Sequence, residues 1–514
     1  MTTPAPQQYM TGTFQWQHIL LVLVIVLATT YRIHDLDYLS LWADELWGVL
    51  ACSHGSLAAM IDNLVNFDSH PPAYQTLLYY WMVGFGKSDF SIRLPSALAG
   101  IAAIPAIYKL GKDHFSVASG LLAATLLAGS FPAIHYSQEA RAYSLLIMTA
   151  CIHYNFFLRI VIDASKRLPD RLGFILSATL LLYLHYAGAV VMFSEGVIFL
   201  AIFLRHPSRD YFVNGTLVFA FALLCYAPWL PVMYKHATSI ATYWATKPGW
   251  PEFRRVWEFL TGFDIASLNT ILSLLTITLL LLMVKAIRST TVTQDRKTWV
   301  LFTLMLLPMA VFFGKSIFSQ SIHTERHFLY ALPLIVLLAS LPLAVMIGWL
   351  AKIRIPEIFS VTAIMVIIAS VQLHTNDQTQ LYRHQHNHDF RGAVELIAKD
   401  KAFIAGPRVI IAGTDYFDHY LREMHIADKA LAYFMYELHA QEIFTLIANH
   451  TGHDDFYLLD VQLTPDVNEI SVAQRNLDDR YTRLCQTKLN WVRVSKYRPE
   501  HNASGQPGTQ NCNP

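Results

Sequence analysis

Long apolar runs separated by short polar breaks make up about the first 370 residues of the chain. Many runs are close to the roughly 20 residues that a helix needs to cross about 30 Å of hydrocarbon. They lack the alternation typical of a membrane β-strand. The pattern predicts about eleven helical spans, near residues 16 to 32, 91 to 110, 116 to 135, 139 to 162, 172 to 187, 188 to 205, 211 to 231, 266 to 286, 298 to 315, 328 to 350 and 356 to 373.

The opening run "ILLVLVIVLATTY" has no arginine-rich start and no small-residue cleavage site before it, so it is predicted to remain as the first span. With a cytoplasmic N-terminus, each of the short cytoplasmic loops contains basic residues, among them Lys109, Lys112, Arg205, Lys352 and Arg354. This distribution agrees with the positive-inside rule. An odd number of spans then places residues 33 to 90 and the C-terminal tail on the extracytoplasmic side of the inner or plasma membrane.

The first extracytoplasmic loop contains two stretches with an amphipathic helical pattern, "LWADELWGVLACS" and "PPAYQTLLYYWMVGFG". Their many aromatic residues are typical of helices that lie in the membrane interface. Pro71 and Pro72 are expected to start the second helix, because proline fits the first turn of a helix.

After about residue 374 the apolar runs stop and short β-type stretches, "RVIIAG" and "DFYLLDV", alternate with helical ones. The predicted fold class is therefore an α-helical polytopic membrane protein with a small C-terminal α/β extracytoplasmic domain. The predicted domains are residues 1–373 and 374–514. Cys485 and Cys512 lie in the tail, where an oxidising compartment would allow a disulfide between them.

The composition supports assignment to the membrane and favours lipids over nucleic acid as partners. The chain is 54% hydrophobic and 15% charged, and its mean hydropathy is +0.35, so membrane lipids surround it. The net charge of +1 gives no reason to expect binding to nucleic acid.

The clearest candidate for chemistry is the adjacent pair Asp44 and Glu45, which lies between Trp42 and Trp47 in the first loop. Acids at a membrane interface cost free energy and are functional candidates by default. Partial desolvation can raise the basicity of a carboxylate, which can then accept a proton from a hydroxyl group. The alternative is that Asp44 only caps the helix that follows.

Other polar residues in the predicted extracytoplasmic segments could surround one pocket with Asp44: His70, Glu139, Arg141, Tyr143, Lys247, His323 and Arg326. Arg141 offers a planar fork suited to phosphate or carboxylate, and Glu139 could orient it. Several of these residues also have a purely structural explanation. His70 could be a hydrogen-bonded loop histidine, and Glu139 and Arg141 could form an ion pair that starts a helix. Lys247 could be a solvated lysine.

Two other classes of site have little support. His384, His386 and His388 alternate in "RHQHNHDF", but the stretch is typical of a juxtamembrane linker, and no metal ligands are assigned there. A glycine-rich phosphate loop in a strand-to-helix context is absent from the sequence, which argues against an ATP-driven or nucleotide-sugar enzyme.

Five stretches, "SLWADELW", "SHPPAYQTLLYYW", "GKSDFSIRLPSALAG", "YSQEARAYSLL" and "TERHFLYALP", resemble in content and order the GT-C glycosyltransferases of the family-39 type. That superfamily includes protein O-mannosyltransferases, aminoarabinose transferases that act on lipid A, and Rgt-type transferases. The strongest resemblance covers residues 38 to 145, with weaker agreement to about residue 335.

The resemblance implies an inverting transferase that uses a polyprenyl phosphate sugar as donor and a glycan, lipid or protein as acceptor. It implies Asp44 as general base, Glu45 in the same pocket, and His70, Glu139, Arg141 and Tyr143 lining it. Arg141 and Arg326 would neutralise the departing lipid phosphate. No cofactor is assigned, and a divalent metal stays open because acids and histidines are present while the family includes metal-independent members.

Two features favour the bacterial lipid-glycan branch over protein O-mannosylation. "AYQTLL" follows the proline pair in place of a small, basic stretch, and no β-trefoil insertion is present in the sequence. The many spans also leave open a lipid or glycolipid flippase or transporter, and a sensor or assembly protein whose C-terminal domain binds a partner. A transporter usually has charged residues within its spans and an internal repeat. The sequence shows few such charges and no repeat.

Overall fold

The computed structural model describes residues 16–239, 247–261, 292–318, 321, 324–378, 388–400, 403, 408–412, 414–427, 430–434, 454–461, 477–499 and 512. The chain divides into two units. The first unit comprises Met1–Arg32, Ala97–Ser137 and Tyr143–Asp377, and the second comprises Ile33–Ser96, Gln138–Ala142 and Gln378–Pro514. The first loop therefore groups with the C-terminal segment.

The first unit is helical. Its helices, numbered along the whole chain, are α1 (Trp16–Ile33), α5 (Asp89–His114, which begins in the second unit), α6 (Val117–Ala128), α7 (Phe131–His135), α8 (Tyr143–Phe157), α9 (Leu168–Leu184), α10 (Ala187–Arg205), α11 (Arg209–Tyr226), α12 (Leu230–Ser239), α13 (Trp250–Thr261), α14 (Val292–Phe318), α15 (Leu332–Lys352) and α16 (Glu357–Gln378). A π-helix (Leu158–Ile162) extends α8, and 3-10 helices (Ala227–Trp229 and Glu325–Ala331) precede α12 and α15.

Eight helices in the described part of the chain are long and apolar enough to cross a bilayer, so the chain is a multi-pass membrane protein. They match eight of the eleven predicted spans. The predicted span at 266 to 286 lies outside the described residues, and α9, with 17 residues, is not among the eight.

The predicted span at 116 to 135 is wrong as a continuous helix. Helix α6 ends at Ala128, and the five-residue α7 begins only at Phe131 with a proline in its first turn. Proline has no amide hydrogen and cannot continue the helical hydrogen-bond ladder from the preceding turn, which explains the break at this position.

Close helix packing in the first unit depends on small residues. A Cβ atom added to Gly111 of α5 would lie 2.7 Å from the Cα atom of Gly120 in α6. Only glycine at both positions allows the two backbones to approach this closely, as is common between membrane helices. Arg32 then closes the end of α6 by donating to the carbonyl oxygens of Leu127 at 3.2 Å and Ala128 at 2.9 Å.

The second unit contains shorter helices and one sheet. Its helices are α2 (Ala43–Ala51), α3 (Leu57–Phe67), α4 (Ala73–Phe85), α17 (Phe390–Ala398) and α18 (Tyr416–Glu423), and its strands are β1 (Arg408–Ala412), β2 (Ala430–Phe434), β3 (Phe456–Val461), β4 (Thr482–Leu489) and β5 (Val492–Arg498). The predicted helices α2 and α4 are confirmed, and α4 follows the proline pair as expected. Helix α3 is an addition, with Ser56 accepting from the amide of Ala59 at its start.

The sheet has the order β2-β1-β3-β5-β4. Strand β1 is parallel to β2 and β3, whereas β5 is antiparallel to β3 and β4. The core on one side of the sheet includes Val409, Ile411, Phe456, Leu458 and Tyr497. The strands predicted at "RVIIAG" and "DFYLLDV" are confirmed as β1 and β3. A disulfide joins Cys485 to Cys512.

Candidate active site

Helix α2 begins immediately after Trp42, and its first turn holds both Asp44 and Glu45. The backbone amide of Trp42 donates to Glu45 Oε2 at 3.1 Å. This is the half of a capping box in which the third helical residue reaches back to the residue before the helix. Asp44 therefore lies at the N-terminal end of α2, where the helix dipole favours a negative charge.

The two acids have very different surroundings. The Glu45 side chain is 0% exposed and pairs with Arg93, whose Nε and Nη2 atoms donate to its two oxygens at 2.8 and 2.7 Å. The amide of Ala140 also donates to Glu45 at 2.7 Å. The structure thus places Glu45 in the protein interior and not on an accessible pocket wall. Asp44 has 32% of its side chain exposed, so its carboxylate can be reached by another molecule.

Arg93 ties the buried acid to the chain that precedes α2. Its guanidinium donates to the carbonyl oxygens of Leu36 at 3.0 Å, Leu39 at 2.7 Å and Ser40 at 3.1 Å. A guanidinium has five donor hydrogens in a fixed fork, and here they connect a carboxylate with three carbonyls. Glu45 and Arg93 therefore fix the position of the segment that leads into Asp44.

Arg141 lies beside Asp44. Its Nη1 atom donates to the backbone oxygen of Asp44 at 2.9 Å, and its Nη2 atom is 3.7 Å from Asp44 Oδ2. Nη2 is also 3.2 Å from His70 Nε2. Since a guanidinium can only donate, His70 Nε2 accepts this hydrogen bond. The structure therefore brings together three residues that the sequence analysis singled out in separate motifs.

Asp68 orients His70, although no sequence motif had identified it. Its Oδ1 atom accepts from His70 Nδ1 at 2.7 Å and from the amides of Ser69 at 2.6 Å and His70 at 3.1 Å. Burial alone would raise the pKa of Asp68, but its interactions with His70 and with Arg141 lower this pKa to about 2. Asp68 is therefore an anion that fixes the ring orientation of His70 and, through it, Arg141.

We expect Asp68→Asn to remove an acid-sensitive part of the stability of the second unit. Because the folded pKa of about 2 lies below the unfolded value, the ionised carboxylate favours the folded chain above about pH 4, and this contribution is lost as the pH falls from about 4 through 2. At neutral pH it amounts to about 2 kcal/mol.

Thermal unfolding of the detergent-solubilised chain at a series of pH values measures this contribution. The difference between wild type and Asp68→Asn should be largest near neutral pH and shrink towards the acid end. Asp62→Asn, a change of an exposed acid on α3, is the matched control. A difference that stays constant with pH would contradict the assignment.

Tyr416 is a second residue near Asp44 that no sequence motif had identified. Burial, followed by the charges of Asp415 and Asp44, raises the pKa of Tyr416 to about 12, so its hydroxyl stays protonated at neutral pH. The tyrosine is on α18, far along the chain from Asp44, and the motif "TDYFDHY" contains no spacing that would have identified it.

The adjacent Tyr420 links α18 to the segment before Asp44. Its hydroxyl oxygen accepts from the amide of Leu41 at 2.7 Å and lies 2.9 Å from Asp89 Oδ2, to which it donates. Burial raises the pKa of Tyr420 well above its ordinary value. The C-terminal segment therefore contributes directly to the packing around α2.

The remaining predicted site residues have different locations. Glu139 is buried in the same loop as Arg141, in the second unit. Tyr143 is buried in the first unit, where its ring lies 4.6 Å from that of Tyr136 and 5.8 Å from that of His185. Lys247 is exposed and Arg326 is half-buried, also in the first unit. His323 lies outside the described residues.

The cluster combines an accessible carboxylate, that of Asp44, with the guanidinium of Arg141. His70 contacts this guanidinium, and Asp68 in turn binds His70. The carboxylate can accept a proton from a hydroxyl group. The guanidinium can bind a phosphate and stabilise negative charge that develops on it. These two functions are what transfer of a group from a phosphate to a hydroxyl requires.

Residues 69–232 match the family model described as dolichyl-phosphate-mannose-protein mannosyltransferase. This interval includes His70, Glu139 and Arg141, but not Asp44. No curated protein sequence matches the chain significantly.

Solved structures match over most of the chain. ArnT from Cupriavidus metallidurans bound to undecaprenyl phosphate has a TM-score of 0.56 at 11% identity, with 97% of this chain and 100% of that chain covered. The apo structure of the same ArnT has a TM-score of 0.57 at 11% identity, and the match covers 95% of this chain and 98% of that chain. The apo oligosaccharyltransferase of Archaeoglobus fulgidus has a TM-score of 0.50 at 11% identity, and the match covers 88% of this chain and 70% of that chain.

The chain has the GT-C fold. The resemblance predicted from the five sequence motifs is thereby confirmed for the fold. In this GT-C chain, the loop that follows the first span and the turn between α7 and α8 supply the polar cluster around Asp44.

Proposed function

We propose that the chain is an inverting glycosyltransferase that moves a sugar from a polyprenyl phosphate to a hydroxyl group of an extracytoplasmic acceptor. The observation that carries the proposal is the juxtaposition of the accessible Asp44 carboxylate with the Arg141 guanidinium, 3.7 Å apart. The fold supports it, because the solved ArnT structure is bound to undecaprenyl phosphate.

In the proposed reaction, Asp44 accepts the proton of the acceptor hydroxyl as the oxygen attacks the anomeric carbon. The bond from that carbon to the phosphate oxygen breaks, and the polyprenyl phosphate leaves with the electron pair. Arg141 stabilises the charge on the departing phosphate. Attack on the face opposite the leaving group inverts the anomeric centre. Asp68 and His70 position Arg141, and Glu45 and Arg93 position the segment that carries Asp44.

An extracytoplasmic location of the second unit is part of the proposal. The distribution of lysine and arginine among the loops supports it. So does the disulfide between Cys485 and Cys512, since such bonds persist mainly in oxidising compartments. For the acceptor, we propose a lipid-linked or cell-envelope glycan. The family model matched by residues 69–232 favours a protein acceptor as the second candidate.

The direct test uses the purified full chain in lipid nanodiscs with a panel of polyprenyl phosphate sugars and two acceptor pools, a lipid-glycan extract and a set of serine- and threonine-containing peptides. We expect release of free polyprenyl phosphate, measured by mass spectrometry, together with a gain in mass by one acceptor pool. Movement of lipid across the bilayer without release of polyprenyl phosphate would instead support a flippase.

Arg141→Ala should impair use of the donor more than use of the acceptor. A charge-assisted hydrogen bond to a phosphate contributes about 1.5–3 kcal/mol, so we expect the Michaelis constant for the donor to rise about 10- to 100-fold. Arg422→Ala, at an arginine with 73% of its side chain exposed in the same unit, is the matched control. Equal increases in the Michaelis constants of donor and acceptor would count against the proposed phosphate contact.

A further inference from the structure

A second polar cluster in the second unit is built from Asp89, His419 and Glu423. Asp89 is the first residue of α5, while His419 and Glu423 are four residues apart on α18 and so share one helix face. His419 Nε2 lies 3.8 Å from Asp89 Oδ1 and 3.8 Å from Glu423 Oε2. The three ligand atoms all lie within 4.8 Å of one another.

Two of these atoms are buried polar groups that lack a hydrogen bond to any residue in the described part of the chain: Asp89 Oδ1 and His419 Nε2. The Asp89 side chain is 4% exposed and that of His419 is 7% exposed. Leaving such atoms without a partner costs free energy. The two atoms lie 3.8 Å apart, which is too far for a hydrogen bond and indicates that a further group belongs in the space between them.

Two other groups around Asp89 bind its second carboxylate oxygen, Oδ2. Asp89 Oδ2 accepts from the Tyr420 hydroxyl at 2.9 Å and from Arg391 Nη1 at 3.2 Å. Asp89, Glu423 and Arg391 together carry a formal charge of −1 when both acids are ionised. A cation in the space is therefore electrostatically favourable, even beside the guanidinium.

The ligand types select the class of cation. One imidazole nitrogen and two carboxylate oxygens suit a first-row transition metal such as Zn²⁺, whereas Ca²⁺ and Mg²⁺ prefer oxygen ligands alone. Two atoms 3.8 Å apart can both lie about 2.1 Å from one ion, the usual distance to Zn²⁺. Glu423, with 37% of its side chain exposed, has the freedom to adjust, and water can complete a fourth position.

We infer that Asp89, His419 and Glu423 bind one Zn²⁺ ion, which joins the start of α5 to α18. The ion would have a positioning role, because Asp89 also binds Tyr420, whose hydroxyl accepts from the amide of Leu41 in the segment before Asp44. The inference does not depend on the proposed sugar transfer, since it concerns binding and stability. Its failure would leave the proposed transferase activity intact.

The test measures Zn²⁺ binding to the full chain after removal of metals with a chelator. Equilibrium dialysis in detergent followed by elemental analysis should give about one Zn²⁺ per chain. In His419→Ala and in Glu423→Gln we expect the affinity for Zn²⁺ to fall at least about tenfold. His54→Ala and Glu395→Gln are the matched controls, because they remove an exposed histidine and an exposed glutamate from the same unit and should bind as wild type does.

Two readouts on the wild-type chain avoid any dependence on the folding of variants. Addition of Zn²⁺ should raise the midpoint of thermal unfolding, because a ligand that binds only the folded chain stabilises it. Co²⁺ in place of Zn²⁺ should give a visible absorption spectrum typical of mixed nitrogen and oxygen ligands. The inference is overturned if the chain binds no Zn²⁺ above background, or if His419→Ala/Glu423→Gln binds it with unchanged stoichiometry and affinity. It is also overturned if a change of pH shifts the unfolding midpoint but addition of Zn²⁺ does not. In that case a proton shared between His419 and the two acids would explain why the three side chains lie close together.

Discussion

Asp44→Asn is expected to lower the rate of sugar transfer by about 10²- to 10⁴-fold, the range associated with loss of a general base. Asparagine has nearly the same size as aspartate and can still accept hydrogen bonds, so the N-terminal end of α2 should be preserved. An amide cannot take the proton of the attacking hydroxyl. The loss should therefore appear in the turnover number, with little change in binding of the polyprenyl phosphate sugar.

The measurement compares single-turnover transfer and donor binding for wild type, Asp44→Asn and the control Asp62→Asn. Asp62 is an exposed acid on α3 in the same loop, so its variant has the same change of charge without the proposed chemical role. Transfer by Asp44→Asn at the rate of wild type would remove Asp44 as the base. Normal donor binding with no transfer would separate chemistry from recognition.

Local patterns in the sequence were sufficient to select much of this site. The acids beside Trp42, the histidine before the proline pair and Arg141 in "SQEARAY" were each chosen from residue type and position. The structure places Asp44, His70 and Arg141 in one hydrogen-bonded group. The start of α4 and the eight confirmed spans could also be predicted, because proline positions and apolar length act locally along the chain.

Contacts between distant segments could not be predicted in this way. Arg93 lies in an apolar helix, 48 residues from Glu45, and its sequence neighbourhood does not reveal its partner. Tyr420 is 331 residues from Asp89. Such pairs are determined by how segments distant in the sequence pack on one another, and hydrophobic periodicity describes only one segment at a time. Adjacent acids can also have opposite environments, as Asp44 and Glu45 do, because successive helical residues point about 100° apart.

Arg93→Met is expected to destabilise the second unit by about 3–5 kcal/mol, the usual cost of removing one partner of a buried ion pair. Methionine can fill much of the volume, but the Glu45 carboxylate, which is 0% exposed, would lose the guanidinium that pairs with it. The carbonyls of Leu36, Leu39 and Ser40 would lose donors as well. The segment that leads into Asp44 should therefore become susceptible to limited proteolysis.

A double-mutant cycle separates the ion pair from the carbonyl contacts of Arg93. Glu45→Gln in the Arg93→Met background removes the uncompensated charge, so it should recover part of the lost stability, whereas Glu45→Gln alone should destabilise wild type. Lys399→Met breaks an exposed pair with Glu395 and should cost no more than about 1 kcal/mol. If Arg93→Met unfolds at the temperature of wild type, the buried pair does not hold this segment. Asp44 would then depend on α2 alone for its position.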